Sequence, residues 1–372
     1  MKKKKIILSY TILVILLTSC NAMDLGSNQN CIKENVEFAF PITGAYTIPT
    51  KIPIDTRWKP QLNQAESHEI GDSVITNLVI QNDDSIWFVA EKKVMRYKPQ
   101  KRELLVLNNH LIPSEILIGN HGEIFGINSQ DIDDPENNSY FLSQFKNEIN
   151  EFVAFDQKDL TGYVKAYFYG NDGQIWFVSN DNQIFNFNPG NGITNRYHLA
   201  MVGYELKNLT VDKNDNIWLL AYNTKNQLQI GQLIRFNYHT NDLVFFSLPS
   251  DVHFGEYLGL YIDKSNRLWA DDYGYLDNIY SENPIWYQII RSPIFIHNRF
   301  SDNGQYQWSH ASPYYETKDG LLWFYSSAGL ANLDLKTKKW CLESTIVSKI
   351  VEDTNGNIWM VNNGQIYKKG KK

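Results

Sequence analysis

The chain has 372 residues, of which 43% are hydrophobic and 14% aromatic, and its formal net charge is −6. A chain of this length and apolar content can bury a large core, either in two domains or in one large all-β domain. The acidic balance argues against nucleic acid and against anionic lipid as partners, because both are bound through clustered Lys and Arg.

Residues 1–19 have the order of a secretory signal peptide, with four lysines followed by the apolar run 6–17. That run is too short to cross a bilayer as a permanent helix. It ends in LTSC, which resembles the bacterial lipobox, where cleavage leaves a diacylated cysteine at the new N-terminus. We therefore expect a signal peptide over 1–19 and a lipid on Cys20. The alternative is an uncleaved or ordinarily cleaved signal in which Cys20 is incidental.

The segment after Cys20 is predicted to be a tether over residues 20–45. Its polar stretch NAMDLGSNQN has little capacity to form a core. Loss of the four lysines at 2–5 changes the net charge from −6 to about −10. These features predict an extracytoplasmic protein of the bacterial cell envelope that meets the membrane through its lipid alone.

A polar turn followed by an aliphatic and an aromatic residue recurs along the rest of the chain. Examples are NDDSIW, KNDNIW and TNGNIW. Successive aromatic anchors are 36 to 54 residues apart, which fits repeated supersecondary units with loops of variable length. The anchors are Trp87, Phe125, Trp176, Trp218, Trp269, Trp323 and Trp359.

Each repeat contains the patterns of four short strands. Around Trp218, NLTVD and IWLLAY flank the turn KNDN, and QLIRFNYHT and DLVFFSLP follow. Seven such sheets arranged radially make an all-β, seven-bladed β-propeller of four-stranded antiparallel blades. We expect the anchors to pack between neighbouring sheets rather than to stack on a ligand. The turns are predicted to be structural, because a calcium loop requires a denser set of oxygen ligands.

Two repeats, at 319–334 and 353–367, resemble the two-component-regulator propeller repeat. That pattern has an acidic residue, a polar turn, an aliphatic residue and Trp, then Gly before an aliphatic and an aromatic or basic residue. The resemblance covers about residues 75–372 and implies an extracytoplasmic sensor propeller. Because no kinase domain, transmembrane helix or helix-turn-helix follows the last repeat, a signalling role is expected to require a separate partner.

The seventh repeat contains only three predicted strands. We expect part of 36–64 to supply the missing outer strand and to close the ring, so that the propeller domain extends over 46–372. Cys341 lies in the predicted outer strand of the preceding blade, and Cys31 lies in the incoming segment. A disulfide between these two cysteines is possible outside the cytoplasm, and the sequence leaves it open.

The candidate ligand site lies in two aromatic and charged segments. One is the long connection 296–316, and the other follows Trp269 in the sequence WADDYGYLDN. Propellers bind ligands at one face through loops of several blades, and we expect both segments at that face. The alternative is that the rings cover the edge of a blade. The candidate residues are His297, Arg299, Trp308, His310, Tyr314, Tyr315, Asp271, Asp272 and Tyr273.

Catalytic motifs are absent from the sequence, which has no HExxH, no CxxC pair and no glycine-rich phosphate loop. We predict a non-enzymatic, monomeric binding module without a metal or cofactor, whose partner is an unknown protein, peptide or saccharide. One alternative is a magnesium-dependent enzyme that resembles the streptogramin lyases, although no motif maps onto their site. The other is a structural scaffold.

Replacement of Cys20 by Ser is expected to remove the lipid and to release the protein from membranes. The measurement is the distribution of the protein between membrane and soluble fractions in the native host. Cys341→Ser is the matched control and should stay with the membranes. A Cys20→Ser variant that remains membrane-bound would contradict the lipid anchor.

Overall fold

The computed structural model describes nineteen segments of the chain. They are residues 36–41, 57–70, 75, 77–90, 93–107, 111–129, 140–155, 164–170, 172–179, 182–199, 203–223, 231–247, 259–271, 274–281, 284–290, 311–326, 329–344, 349–362 and 364–370. Within them, 29 strands form seven sheets, and there is one helix.

Two strands and the helix precede the repeats, and blades 1 to 3 follow. The N-terminal elements are β1 (Val36–Pro41), β2 (Trp58–Pro60) and α1 (Gln64–Ile70). Blade 1 contains β3 (Asn77–Ile80), β4 (Ile86–Ala90), β5 (Lys93–Lys98) and β6 (Glu103–Leu107). Blade 2 contains β7 (Glu115–Ile118), β8 (Ile124–Ser129), β9 (Tyr140–Lys146) and β10 (Glu151–Ala154). Blade 3 contains β11 (Val164–Tyr169), β12 (Ile175–Ser179), β13 (Gln183–Asn188) and β14 (Ile193–His198).

Blades 4 to 7 continue the same order. Blade 4 contains β15 (Tyr204–Val211), β16 (Ile217–Asn223), β17 (Gly231–Asn237) and β18 (Asp242–Ser247). Blade 5 contains β19 (Leu260–Ile262), β20 (Leu268–Ala270), β21 (Gly274–Asp277) and β22 (Ile285–Ile290). Blade 6 contains β23 (Ser312–Glu316), β24 (Leu321–Ser326), β25 (Gly329–Asp334) and β26 (Lys339–Ser344). Blade 7 contains β27 (Ile350–Glu352), β28 (Ile358–Asn362) and β29 (Gln365–Lys369).

Neighbouring strands within the repeats pair antiparallel, which confirms the predicted seven-bladed β-propeller. First strands of neighbouring blades contact each other, as β3 with β7, β15 with β19 and β27 with β3, so they surround the central axis. The first strands therefore form the wall of the channel, and the fourth strands lie at the periphery.

The two N-terminal strands join different blades. β2 pairs antiparallel with β29 as the outermost strand of blade 7. β1, which falls within the predicted tether, pairs parallel with β22 as a fifth strand of blade 5. In the described part of the chain, no helix has the length and apolar character needed to cross a bilayer. Cys341 is exposed on β26, whereas Cys31 and Cys20 lie outside the described residues.

The core consists of apolar clusters between successive blades. Each predicted anchor is buried in the second strand of its blade and packs against the next blade. Trp218 packs against Leu260 and Leu268 of blade 5. Trp359 packs against Leu78 and Ile86 of blade 1, so the last blade packs on the first.

In three blades, an aspartate six positions before the anchor accepts the hydrogen bond of the anchor's indole N–H. These aspartates are Asp212, Asp263 and Asp353. Asp212 Oδ2 accepts the indole N–H of Trp218 at 2.9 Å, and its Oδ1 accepts backbone N–H groups of the turn at 2.8 and 3.0 Å. Asp353 makes the same contacts in blade 7, where the indole bond to Trp359 is 2.9 Å. The turns therefore have the structural role that their composition predicts.

Turns of successive blades are also linked to one another. The backbone N–H of Lys264 donates to Glu316 Oε2 at 2.6 Å. The backbone N–H of Lys318 donates to Glu352 Oε2 at 2.9 Å. Thr354 donates to both carboxylate oxygens of Asp84, through its N–H and its hydroxyl. These contacts connect blades 5, 6, 7 and 1 at one end of the disc.

Replacement of Asp353 by Asn is expected to weaken the pH dependence of stability. Burial opposes ionisation of Asp353, but hydrogen bonds from Asn357 and Trp359 outweigh it and lower the pKa below its ordinary value of 3.8. The resulting stabilisation is present above that ordinary value and is lost as the pH falls through the lowered pKa of the folded state. Asp353→Asn should therefore lower the free energy of unfolding by about 1–2 kcal/mol at about pH 7.

The measurement is the melting temperature at about pH 7 and about pH 3, where the difference between wild type and variant should shrink. Asp242→Asn at an exposed position is the matched control. An equal loss of stability at both pH values would show that the charge of Asp353 is not responsible.

Candidate functional site

The antiparallel order of the strands gives the disc two distinct faces. The turns from first to second and from third to fourth strand lie at one end, which we call the turn face. The connections from second to third strand and from each blade to the next lie at the other end, which we call the loop face. The connection between β22 and β23, which contains four of the nine candidate ligand residues, starts and ends at the loop face.

Three of the nine candidate ligand residues are described, namely Asp271, Tyr314 and Tyr315. The other six lie outside the described residues. They are His297, Arg299, Trp308, His310, Asp272 and Tyr273.

Asp271 joins the two predicted segments. It follows β20 at the loop face, is buried, and adopts a φ of 48°. Its Oδ1 accepts the backbone N–H of Gly259 at 2.6 Å and the hydroxyl of Ser312 at 2.7 Å. Ser312 is the first residue of β23, so this carboxylate connects the β20–β21 connection of blade 5 to the end of the long connection that enters blade 6.

Tyr314 and Tyr315 contact blade 7. The hydroxyl of Tyr314 accepts the backbone N–H of Ile350 at 2.6 Å. The hydroxyl of Tyr315 donates to Glu352 Oε2 at 3.4 Å. Burial raises the pKa of both tyrosines, and the charge of Glu352 adds to this effect at Tyr315. Both rings therefore contribute to packing between blades 6 and 7.

A second polar cluster lies on the first strands of blades 1, 2 and 3. Glu115, the first residue of β7, accepts two hydrogen bonds on Oε2, from Asn77 Nδ2 at 2.6 Å and from the Tyr167 hydroxyl at 2.7 Å. Asn77 also donates to the backbone oxygen of Ile116 at 2.8 Å. Burial, followed by the charge of Glu115, raises the pKa of Tyr167 well above its usual value. The phenol therefore stays protonated and donates to the carboxylate.

The sequence patterns do not predict this cluster. The available signal is weak: Asn77 and Glu115 are the polar first residues of the otherwise apolar strands NLVI and EILI. Such residues are common at strand ends, where the chain enters from a loop. Their proximity to Tyr167 depends on the packing of three blades, which no local pattern contains.

The first strand of blade 4 adds an ion pair. Lys207 Nζ lies 2.8 Å from Glu205 Oε1, and both side chains are partly exposed. Asn182 of blade 3 accepts the N–H of Leu206 and donates to the backbone oxygen of Tyr204, each at 2.8 Å. Polar groups therefore lie near the loop-face ends of several first strands. Within the described segments, His, Cys, Asp and Glu do not form a group of three that could hold a metal ion.

Comparison with known proteins supports the fold. No family model and no curated protein matches the sequence. Among solved structures, an inactive virginiamycin B lyase from Staphylococcus aureus with quinupristin has a TM-score of 0.56 and 14% identity, over 84% of this chain and 97% of that chain. The extracellular domain of the putative hybrid two component system BT4673 from B. thetaiotaomicron has a TM-score of 0.58 and 13% identity, over 86% of this chain and 43% of that one.

A third similar structure is U3-55K, with a TM-score of 0.53 and 10% identity over 86% of this chain and all of that chain. At these identities the likeness establishes the fold alone. The chain is a seven-bladed β-propeller, and the different proteins that share this architecture show that the fold by itself does not assign an activity.

Loss of the Ser312 hydroxyl is expected to weaken the junction between blades 5 and 6. Ser312→Ala should lower the free energy of unfolding by about 1–2 kcal/mol, because it removes a hydrogen bond to a buried carboxylate. In a double-mutant cycle with Asp271→Asn, the two effects should be non-additive. Denaturant unfolding measures both quantities.

The matched control is Ser265→Ala on the turn face, because Ser265 is exposed and contacts Asp263 through its backbone N–H. Its effect should be small. Strict additivity of Asp271→Asn and Ser312→Ala would contradict the proposed role of this contact.

Proposed function

We propose that this chain is an extracytoplasmic β-propeller lipoprotein that binds a peptide, a saccharide or a protein partner at its loop face, in a sensing role. The membrane anchor is Cys20. The basic and apolar signal pattern before Cys20 supports export. The likeness in fold to an extracellular domain of a bacterial two component system is compatible with the same location.

The observation that carries the proposed site is the Asp271–Ser312 hydrogen bond of 2.7 Å. It joins the chain positions at which the two candidate segments meet the described blades. Asp272 and Tyr273 follow Asp271 directly, and His310 lies two residues before Ser312. Aromatic rings beside His and Arg form platforms suited to sugars and peptides, since they combine flat apolar area with a few directed polar groups.

The experiment is a thermal-shift screen of the purified protein against oligosaccharides, peptides and divalent metals. A ligand that binds only the native state raises the apparent melting temperature. We expect a saccharide or peptide to do so, and Trp308→Ala to abolish the shift. Tyr280→Ala is the matched control, because Tyr280 is an exposed aromatic residue between β21 and β22 at the turn face.

Each other outcome changes the proposal in a defined way. A shift that Trp308→Ala leaves intact would remove the 296–316 segment from the site. A shift with magnesium alone would favour a lyase activity of the kind found in streptogramin lyases. No shift with any small ligand would contradict a small-molecule site and leave a protein partner or a scaffold.

A further inference from the structure

We propose that Glu115 anchors a cationic group of the ligand, an ammonium or a guanidinium, at the loop-face end of the channel. This inference rests on the proposed binding function and specifies the chemistry of the ligand. The candidate segments identified from the sequence do not contain Glu115, so it adds a separate contact to the site.

The Glu115 carboxylate is held in place before any ligand arrives. Asn77 of blade 1 and Tyr167 of blade 3 both donate to Oε2, at 2.6 and 2.7 Å. Asn77 is itself fixed by its bond to the backbone of Ile116. Three neighbouring blades therefore determine the position of one carboxylate, and such pre-organisation reduces the cost of binding.

The charge of Glu115 has no cationic partner within the described segments. Two buried carboxylates of the described segments do have one: Asp263 pairs with Arg267 at 2.6 Å, and Glu343 pairs with Lys369 at 2.6 Å. Glu115 instead receives two neutral donors. A half-buried carboxylate without a countercharge is costly, and a cationic ligand would offset that cost.

The two donors leave one carboxylate oxygen of Glu115 available to accept a hydrogen bond from a ligand. Both hydrogen bonds from described residues end on Oε2, so Oε1 retains its capacity to accept. An ammonium or guanidinium group needs only such an acceptor for a short, charge-assisted hydrogen bond. A calcium or magnesium ion would require several oxygen ligands, and the neighbours here are an amide and a phenol that already donate to the carboxylate.

The substitution Glu115→Gln removes the negative charge of the side chain but keeps its size and shape. Glutamine retains an oxygen that accepts from Asn77 and Tyr167 but carries no charge. If Glu115 is unpaired in the free protein, the melting temperature of Glu115→Gln should equal or exceed that of the wild type. A clear decrease would show that the carboxylate serves stability and would overturn the inference.

The binding test uses N-acetyl-arginine amide, which carries one guanidinium, and N-acetyl-citrulline amide, its neutral isostere. Calorimetric titration should show that wild type binds the arginine compound and not the citrulline compound. Glu115→Gln should weaken binding of the arginine compound by about tenfold or more. The matched control is Glu123→Gln in the same blade, because Glu123 lies in the first turn at the opposite face and accepts a backbone N–H from His121.

Two results would overturn the inference: failure of wild type to bind the arginine compound, or equal binding by wild type and Glu115→Gln. Trp308→Ala makes failure of this inference distinguishable from failure of the proposed function. A panel ligand lost in Trp308→Ala but retained in Glu115→Gln would keep the proposed site and overturn the role of Glu115. Binding of the arginine compound that depends on Glu115 while Trp308→Ala affects no ligand would support the inference and remove the 296–316 segment from the site.

Discussion

The whole architecture depends on the packing of one aromatic ring from each blade into the next. Trp and Phe supply a large buried area per residue, and a sheet with one such ring on its surface is stable only when a neighbouring sheet covers it. Trp87 is covered by blade 2 and Trp359 by blade 1. Since every blade covers the anchor of the blade before it, the seven sheets close into a ring, and the first strands are brought together around one axis.

Polar contacts at the turn face fix the indole groups of several of these rings. The indole N–H of a buried Trp is costly without an acceptor. Asp212, Asp263 and Asp353 meet that requirement while they organise the turn backbone. Basic side chains also lie over several anchors: Arg96 is 5.0 Å from the Trp87 ring centre, and Lys368 is 4.9 Å from that of Trp359. The described polar contacts of the turn face therefore serve mainly to stabilise the fold.

The loop face differs because two of its polar groups within the described segments bond to neighbouring blades instead of to the anchors. Asp271 connects blade 5 to blade 6, and Glu115 accepts hydrogen bonds from side chains of blades 1 and 3. A binding site placed there would vary through its loops while the anchors and turns keep the ring intact.

Part of the candidate site was accessible from the sequence, and part was not. The long connection and WADDYGYLDN stand out because they depart from the repeat, and Asp271 indeed contacts the strand that the long connection enters. Tyr314 and Tyr315 look like ligand residues in the sequence, yet their hydroxyls bond to blade 7. Nothing in a linear pattern distinguishes an aromatic ring that meets the next blade from one that meets a ligand.

The sequence by itself determined the propeller, its seven anchors and the role of the acidic turns, because each repeat is a local unit of strand, turn and strand whose periodicity is visible in one dimension. The tertiary structure alone decided that β1 joins blade 5 in parallel. It alone also brought Asn77, Glu115 and Tyr167 together across up to 90 residues of chain. Such contacts depend on which blades are neighbours and where their first strands begin, and these are set by closure of the ring rather than by any single repeat.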